Sequence, residues 1–155
     1  MKQYPASFLK YISILHRNTS RYFCIALEPC GIGSGQQFFL RHIYENQGIS
    51  MYDLAQLGHF DKATVTKAAQ KLEEMGYVTI VHDEKDRRIK RLYTTEKAQN
   101  VLEELYHKRN LWKDALMKDF SPEVEKQLEA LLKKMADISC EEIDAILKLR
   151  EENYE

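Results

Sequence analysis

Segment 61–95 constrains the fold of this chain more than any other. It opens with an acid that can cap a helix, continues as a short amphipathic run, and reaches a glycine at Gly76. Two short segments rich in β-branched and aromatic residues follow, at 77–81 and 89–93, with a charged turn between them. The order predicts a helix over 62–75 and then a β-hairpin.

The two faces of the predicted helix differ in chemistry. The spacing places Val65, Ala68, Ala69 and Leu72 on one face, which we expect to be buried. The stretch from Lys62 to Lys71 contains three lysines and no acid, although 30% of the chain is charged. A helix fits the DNA major groove, and a basic hairpin beside it can reach the backbone or the minor groove. The pattern is typical of a helix-turn-helix with a β-hairpin wing.

Charge is distributed unevenly along the chain, although the formal net charge is only −1. Segment 62–97 holds nine Lys and Arg against six Asp and Glu, whereas segment 121–155 holds five against ten. A basic middle and an acidic tail fit a protein that presents one face to a polyanion.

Apolar spacing and capping signals predict further helices on both sides of this unit. Ser50 and Thr95 are expected to cap the helices that follow them, and Ser121-Pro122-Glu123 marks another helix start. Segment 28–35, with one proline and three glycines, is expected to be a linker. The expected ranges are 5–27, 36–45, 51–57, 96–118 and a last helix from Pro122.

The predicted fold is mainly α with a small β-hairpin wing. A winged helix-turn-helix region is expected at 34–95 and a long connecting helix at 96–118. Segments 1–33 and 119–155 carry apolar stripes that a small central unit cannot cover, so we expect them to form a helical dimerisation region. The alternative is that these terminal helices cover one another within one chain.

Several classes of protein are disfavoured. Lys2, Arg17 and Arg21 interrupt the N-terminal apolar pattern and no apolar run approaches ~18 residues, so we expect no signal peptide, no membrane association and a cytoplasmic location. Three cysteines without CxxC spacing argue against a disulfide framework or a zinc knuckle, and we expect no cofactor or metal. No nucleophile or zincin motif stands out, and the five histidines are scattered, so the chain is not expected to be an enzyme.

Four motifs resemble the MarR family of bacterial transcriptional regulators. An Asp-x-x-Asp-Arg-Arg turn at a fixed distance after a Leu-Glu-x-x-Gly-Tyr helix end is fairly specific, and the helix order extends the resemblance over nearly the whole chain. Thr94 and Ala98 depart from the Leu and Gly usual at those positions. The motifs are Asp61-Lys62-Ala63-Thr64-Val65-Thr66-Lys67, Leu72-Glu73-Glu74-Met75-Gly76-Tyr77-Val78, Asp83-Glu84-Lys85-Asp86-Arg87-Arg88 and Thr95-Glu96-Lys97.

The resemblance implies a homodimer whose recognition helix spans 62–75. It also implies that Arg88 is the wing-tip arginine and that Asp86 orients it toward the minor groove. The alternatives are that this pair only closes the turn and that the helix face is only solvated. By their chemistry and position, the residues expected to contact double-stranded DNA are Lys62, Ala63, Thr64, Thr66, Lys67, Gln70, Lys71, Lys85, Asp86, Arg87, Arg88 and Lys90.

The expected function is that of a homodimeric, sequence-specific transcriptional regulator, by default a repressor, on a palindromic operator. By analogy with the family, a small aromatic effector is expected to release it. A cleft for the effector is expected at His16, Ser20, Phe39, His42 and Tyr106. The alternatives are an interaction module without DNA binding and a thiol- or metal-sensing regulator. Cys24 and Cys30 lie at the end of the first helix and in the next loop, away from the start of the first helix where the oxidation-sensing branch carries its cysteine.

Overall fold

A computed structural model describes residues 7–152 of the chain. These residues form a mainly helical fold with a small antiparallel sheet, which confirms the predicted fold class. Within them, no helix is both long enough and apolar enough to cross a membrane. The elements are α1 (Phe8–Ala26), a 3-10 turn (Glu28–Cys30), α2 (Ser34–Glu45), β1 (Ile49–Ser50), α3 (Met51–Gly58), α4 (Lys62–Glu74), β2 (Val78–His82), β3 (Lys90–Thr94), α5 (Ala98–Met117) and α6 (Pro122–Glu152).

The sheet contains the predicted hairpin and one additional short strand. β3 lies between β1 and β2 and pairs antiparallel with both, with Leu92 opposite Ile49 on one side and Ile80 on the other. Both hairpin strands begin one residue later than expected. The reason at β2 is that the Tyr77 amide still bonds to the Leu72 carbonyl at the end of α4 (3.0 Å).

The core lies where α2, α3, α4 and the start of α5 meet the sheet. The predicted inner face of α4, formed by Val65, Ala68, Ala69 and Leu72, is buried. Gly76 stops the helix at a φ of +73°, a left-handed conformation that glycine adopts without strain. Outside α4, the residues between 7 and 152 with no exposed surface are Leu27, Leu40, Ile43, Leu54, Leu92 and Ala98.

Two helix starts differ from expectation. α2 begins at Ser34, two residues early, because the Gln36 side chain accepts a hydrogen bond from the Gly33 amide (3.1 Å) and caps the helix from within. α5 begins at Ala98, and Thr95 does not cap it. The Thr95 hydroxyl instead donates to the Gly76 carbonyl (2.7 Å), which ties β3 to the end of α4.

The apolar stripe expected on α1 is mostly uncovered. The predicted start at Pro5 lies outside the described residues, and the helix begins at Phe8 with Ser7 as its cap. Phe8 and Leu15 are exposed, and Phe23 is the buried residue of this helix. Among the described residues, α1 therefore contributes little to the core except near its end.

The chain divides into two compact units between Trp112 and Lys113. In the second unit, Lys113 pairs with Glu125 (3.1 Å) across the turn that leads into α6, and the Ser121 hydroxyl caps that helix as predicted. No described residue of α6 is buried. Its apolar side chains, among them Leu131 and Ile143, are exposed.

The turn between α3 and α4 contains a strained residue. His59 adopts a φ of +51°, and it is the non-glycine residue with positive φ among residues 7–152. A side chain in this conformation costs roughly 1–2 kcal/mol. The turn is fixed by its neighbours, because the Phe60 amide bonds to the Ala55 carbonyl (3.0 Å) and Asp61 caps α4.

We predict that His59→Gly stabilises the protein by about 0.5–1 kcal/mol, because relief of the strain exceeds the added flexibility of the unfolded chain. Thermal or urea unfolding measures the change. His59→Ala is the matched control, since it removes the imidazole and keeps the strain, and it should give no gain. Equal stabilisation by both variants would assign the effect to the imidazole and contradict the strain argument.

Candidate nucleic-acid interface

Helix α4 is held at both ends. The Asp61 carboxylate accepts the Thr64 amide (2.9 Å) and the Thr64 hydroxyl (2.6 Å), which confirms the predicted cap. At the other end, the Lys97 ammonium donates to the Met75 carbonyl (2.8 Å). Because the inner face is buried, these contacts fix which side chains point outward.

The outer face of α4 carries the side chains predicted to contact DNA. Thr66 is half-buried, and its hydroxyl donates to the Lys62 carbonyl (2.8 Å). Both threonine hydroxyl protons are thus used within the helix, which leaves their oxygens as acceptors. Lys71 lies 3.6 Å from Glu74. The residues of this face that are exposed are Lys62, Ala63, Thr64, Lys67, Gln70 and Lys71.

The tip of the wing presents an arginine held by an aspartate. The Arg88 guanidinium donates to both oxygens of Asp86 (3.0 Å each), and the Arg88 amide donates to the same carboxylate (3.0 Å). The bonds from Arg88 keep the pKa of Asp86 below its usual value. The Arg88 side chain is nevertheless 90% exposed, so it is oriented and still open to a ligand. The pairing implied by the resemblance is present, and its role in DNA binding stays a prediction.

The helix and the wing share one open groove. Tyr52 and Gln56 of α3, Lys62 of α4, and Arg88 and Lys90 of the wing line a cavity of about 700 Å³. Tyr52 is 71% exposed at its edge. The other predicted wing residues, Lys85 and Arg87, are exposed on the hairpin turn.

A second groove shows residues that the sequence did not single out. Gly35 and Gln36, in the first turn of α2, line it opposite Lys67 and Lys71. The sequence pattern assigned Ser34 and Gly35 to a linker, so no signal pointed to this helix start. Thr64 and Gln70 of the outer face of α4 also line this second groove, whereas Lys62 lines the first.

The sequence predicts that Arg91, like Lys85, Arg87 and Lys90, adds contacts to the DNA backbone, but it does not predict the pairing of Arg91 with Asp83. The Arg91 guanidinium donates to Asp83 Oδ2 (2.7 Å) and to the Gly48 carbonyl (3.1 Å). The other Asp83 oxygen accepts the amides of Lys85 (2.9 Å) and Asp86 (3.1 Å). These bonds lower the pKa of Asp83 to about 2, and the bond from Arg91 has the largest effect on it.

Three of the five residues predicted for an effector site are linked by contacts. His42 packs against the Phe38 ring, which in turn packs against buried Phe39. His42 Nδ1 lies 3.3 Å from Glu45 Oε2, and the Tyr106 hydroxyl donates to Glu45 Oε1 (2.9 Å). Burial, then the neighbouring guanidinium of Arg41, lowers the pKa of His42. The other two, His16 and Ser20, lie on α1, with His16 exposed.

The cysteines are free thiols in different surroundings. Cys24 is exposed, and hydrogen bonds with Ser34 at the start of α2 lower its pKa. Cys30 is half-buried, and burial raises its pKa. Between residues 7 and 152, no group of three His, Cys, Asp or Glu side chains lies close enough to hold a metal ion.

We predict that the Asp83 carboxyl titrates with a midpoint of about 2, against an ordinary value of 3.8. Because the folded pKa is depressed, the contribution of the pair to stability is complete above pH 3.8 and is lost as the pH falls toward 2. Carboxyl chemical shifts followed by NMR measure the midpoint. Arg91→Ala should return it toward 3.8, and a wild-type midpoint already there would show that the pair does not form in solution.

The sequence of this chain matches a known family and a known relative. The MarR family model matches residues 34–90, which run from the first residue of α2 to the start of β3. The chain is also 30% identical to the HTH-type transcriptional regulator YybA of Bacillus subtilis over 124 residues, which are 80% of this chain and 83% of that protein.

Solved structures show the same fold. A MarR transcriptional regulator from Methanosarcina mazei is 35% identical, with a TM-score of 0.77 over 83% of this chain and 96% of its own. A MarR family regulator from Listeria monocytogenes, solved in complex with 26mer DNA, superposes with a TM-score of 0.84 over 88% of this chain and 91% of its own. At 23% identity, the latter likeness concerns the fold alone.

Proposed function

This chain belongs to the MarR family of transcriptional regulators, and we propose that it represses transcription by binding a palindromic operator as a homodimer. In this proposal α4 enters the major groove, and the wing contacts the flanking minor groove. A protein with this role would act in the cytoplasm, together with the chromosome.

The proposal depends on the chemistry of the surface formed by the outer face of α4 and the wing. The outer face of α4 has no acid from Lys62 to Lys71, and the neighbouring wing extends Arg88 into solvent. Lysines on such a face neutralise phosphates, whereas Gln70 and the threonine oxygens can meet base edges. A surface that was only solvated would not need an exposed arginine oriented by an aspartate.

The homodimer is proposed because apolar surface remains uncovered in each unit taken by itself. α1 exposes Phe8, Leu9 and Leu15, and α6 buries none of its described residues. Exposed patches of this kind mark association surfaces. A two-fold dimer would present two recognition helices and two wings, as a palindromic operator requires.

For control, we propose a small aromatic acid that binds near His42 and Tyr106. Aromatic rings and polar groups converge there, since Phe38 lies against His42 and the Tyr106 hydroxyl bonds to Glu45. The Arg41 guanidinium bonds to this carboxylate (3.1 Å), and Arg109 lies within range of both charges. Burial, then repulsion by Arg41, lowers the pKa of Arg109. An anionic group on the effector would relieve that repulsion. Release from DNA would follow if the effector binds the non-operator conformation more tightly, typically by 1–3 kcal/mol.

Thiol sensing is the second candidate, and the surroundings of Cys24 favour it. Its thiol is exposed and has a lowered pKa, and both properties promote reaction with oxidants. Cys30 has the opposite properties. If the protein senses oxidation, Cys24 is therefore the residue that reacts.

We predict that Lys67→Ala weakens DNA binding and lowers the slope of log affinity against log salt by about one unit, since one phosphate contact is lost. The DNA is a duplex enriched from a random pool by the wild-type chain, and binding is titrated at several salt concentrations. Lys126→Ala, which removes an exposed lysine of α6, is the control and should leave affinity and slope unchanged. Wild-type affinity and slope for Lys67→Ala would show that Lys67 makes no phosphate contact and would contradict the interface proposed on α4.

A second prediction separates the two modes of control. Peroxide should release neither wild type nor the Cys24→Ser and Cys30→Ser variants from that duplex, because the proposed effector does not act through a thiol. Fluorescence anisotropy of labelled DNA measures release. Release of wild type and Cys30→Ser, with Cys24→Ser retained on DNA, would establish the thiol sensor and exclude the effector as the main signal.

A further inference from the structure

Arg91 lies in a basic segment and lines the groove shared by α4 and the wing, with its side chain 35% exposed. Unlike the Arg88 guanidinium, its guanidinium also bonds to a group outside the wing tip. It occupies the central strand β3, opposite Val81 of β2 and Ser50 of β1. Its guanidinium spans two connections, since it donates to Asp83 in the hairpin turn and to the Gly48 carbonyl before β1. Asp53 adds a nearby negative charge. Its charge is therefore already paired with groups of the protein itself.

The Gly48 end of this contact is firmly attached to the helix-turn-helix. The Gly48 amide donates to the Leu92 carbonyl (2.8 Å) at a φ of +81°, and a side chain there would meet the Tyr93 hydroxyl at 2.9 Å. Two residues later, Ser50 is buried and caps α3 by accepting the Asp53 amide (3.0 Å). α3 leads through a tight turn into α4. A fixed position at Gly48 is thus a fixed position relative to the recognition helix.

The Asp83 end is attached to the wing tip. The last strand pair of the hairpin is His82 with Lys90, so the tip extends beyond the ladder. Asp83 accepts the amides of Lys85 and Asp86, and Asp86 in turn holds Arg88. The Asp83 side chain is only 19% exposed, against 90% for Arg88. Asp83 therefore organises the turn without facing solvent as Arg88 does.

We propose that Arg91 is a positioning residue: held by Asp83 and the Gly48 carbonyl, it sets the distance from wing tip to recognition helix and so determines where Arg88 meets DNA. The inference rests on the proposed DNA-binding function. It assigns to Arg91 and Asp83 a role without direct contact with DNA. It also gives a structural role to Asp83, an acid close to the surface proposed to meet a polyanion.

The decisive variant is Asp83→Asn. The asparagine oxygen can still accept the turn amides, but the charged contact with Arg91 is lost. Simple electrostatics predicts tighter DNA binding, because a negative charge has been removed. If Arg91 positions the wing, the result is the opposite: DNA affinity falls roughly twofold or more, because the wing tip is no longer coupled to Arg91 through Asp83.

Glu84→Gln is the matched control, since it removes the neighbouring exposed acid of the same turn. It should bind DNA as well as wild type or better. Arg91→Lys keeps the charge, but the ammonium cannot bond to Asp83 and the Gly48 carbonyl at once as the planar guanidinium does. This variant should therefore behave like Asp83→Asn. Thermal unfolding identifies any variant that is not folded at the assay temperature.

The readout is hydroxyl-radical footprinting on a duplex selected by the wild-type chain, together with amide hydrogen exchange of the free protein. We expect Asp83→Asn and Arg91→Lys to lose protection in the flanking minor groove, to keep protection at the centre of each half-site, and to exchange wing amides faster. Tighter binding by Asp83→Asn, or unchanged flanking protection and exchange, would overturn the proposal. Failure of the wild type to select any duplex would instead remove the DNA-binding function on which it rests.

Discussion

The burial of one face of α4 is the constraint on which the rest of this structure depends. Val65, Ala69 and Leu72 have no exposed surface, and the helix packs against α2, α3 and β2. Loss of a buried leucine costs roughly 2–5 kcal/mol, so the rotation of the helix about its axis is strongly fixed. With the inner face fixed, Lys67 and Gln70 can only point outward. The surface proposed to contact DNA is thus a consequence of the core.

The wing depends on polar contacts where the helix depends on apolar ones. A hairpin tip that extends beyond its last strand pair has no core to hold it, and the two aspartates take that role. Asp86 orients Arg88 by a bidentate bond, and Asp83 connects the turn to Arg91. Such pairs add little stability when exposed, but they restrict geometry.

The sequence predicted the α4 face, its Asp61 cap and the hairpin because each depends on residues close together in the chain. The Asp86–Arg88 pair was implied by the family resemblance. It did not predict where α2 begins, since Ser34 and Gly35 disfavour helices locally and the cap supplied by Gln36 overrides that preference. Thr95 matches a capping signal, yet its hydroxyl is taken by Gly76, 19 residues away. Arg91 looked like another basic wing residue, because nothing local distinguishes an arginine that faces DNA from one that bonds to Gly48.

The most direct test of the account is selection of binding sites from a pool of random duplexes by the full-length chain, followed by sequencing of the retained DNA. Two copies of the helix and wing, related by a two-fold axis, predict enrichment of an inverted repeat whose half-sites are centred about one helical turn apart, or a multiple of it. No enrichment over the starting pool, or a single half-site without symmetry, would contradict the account.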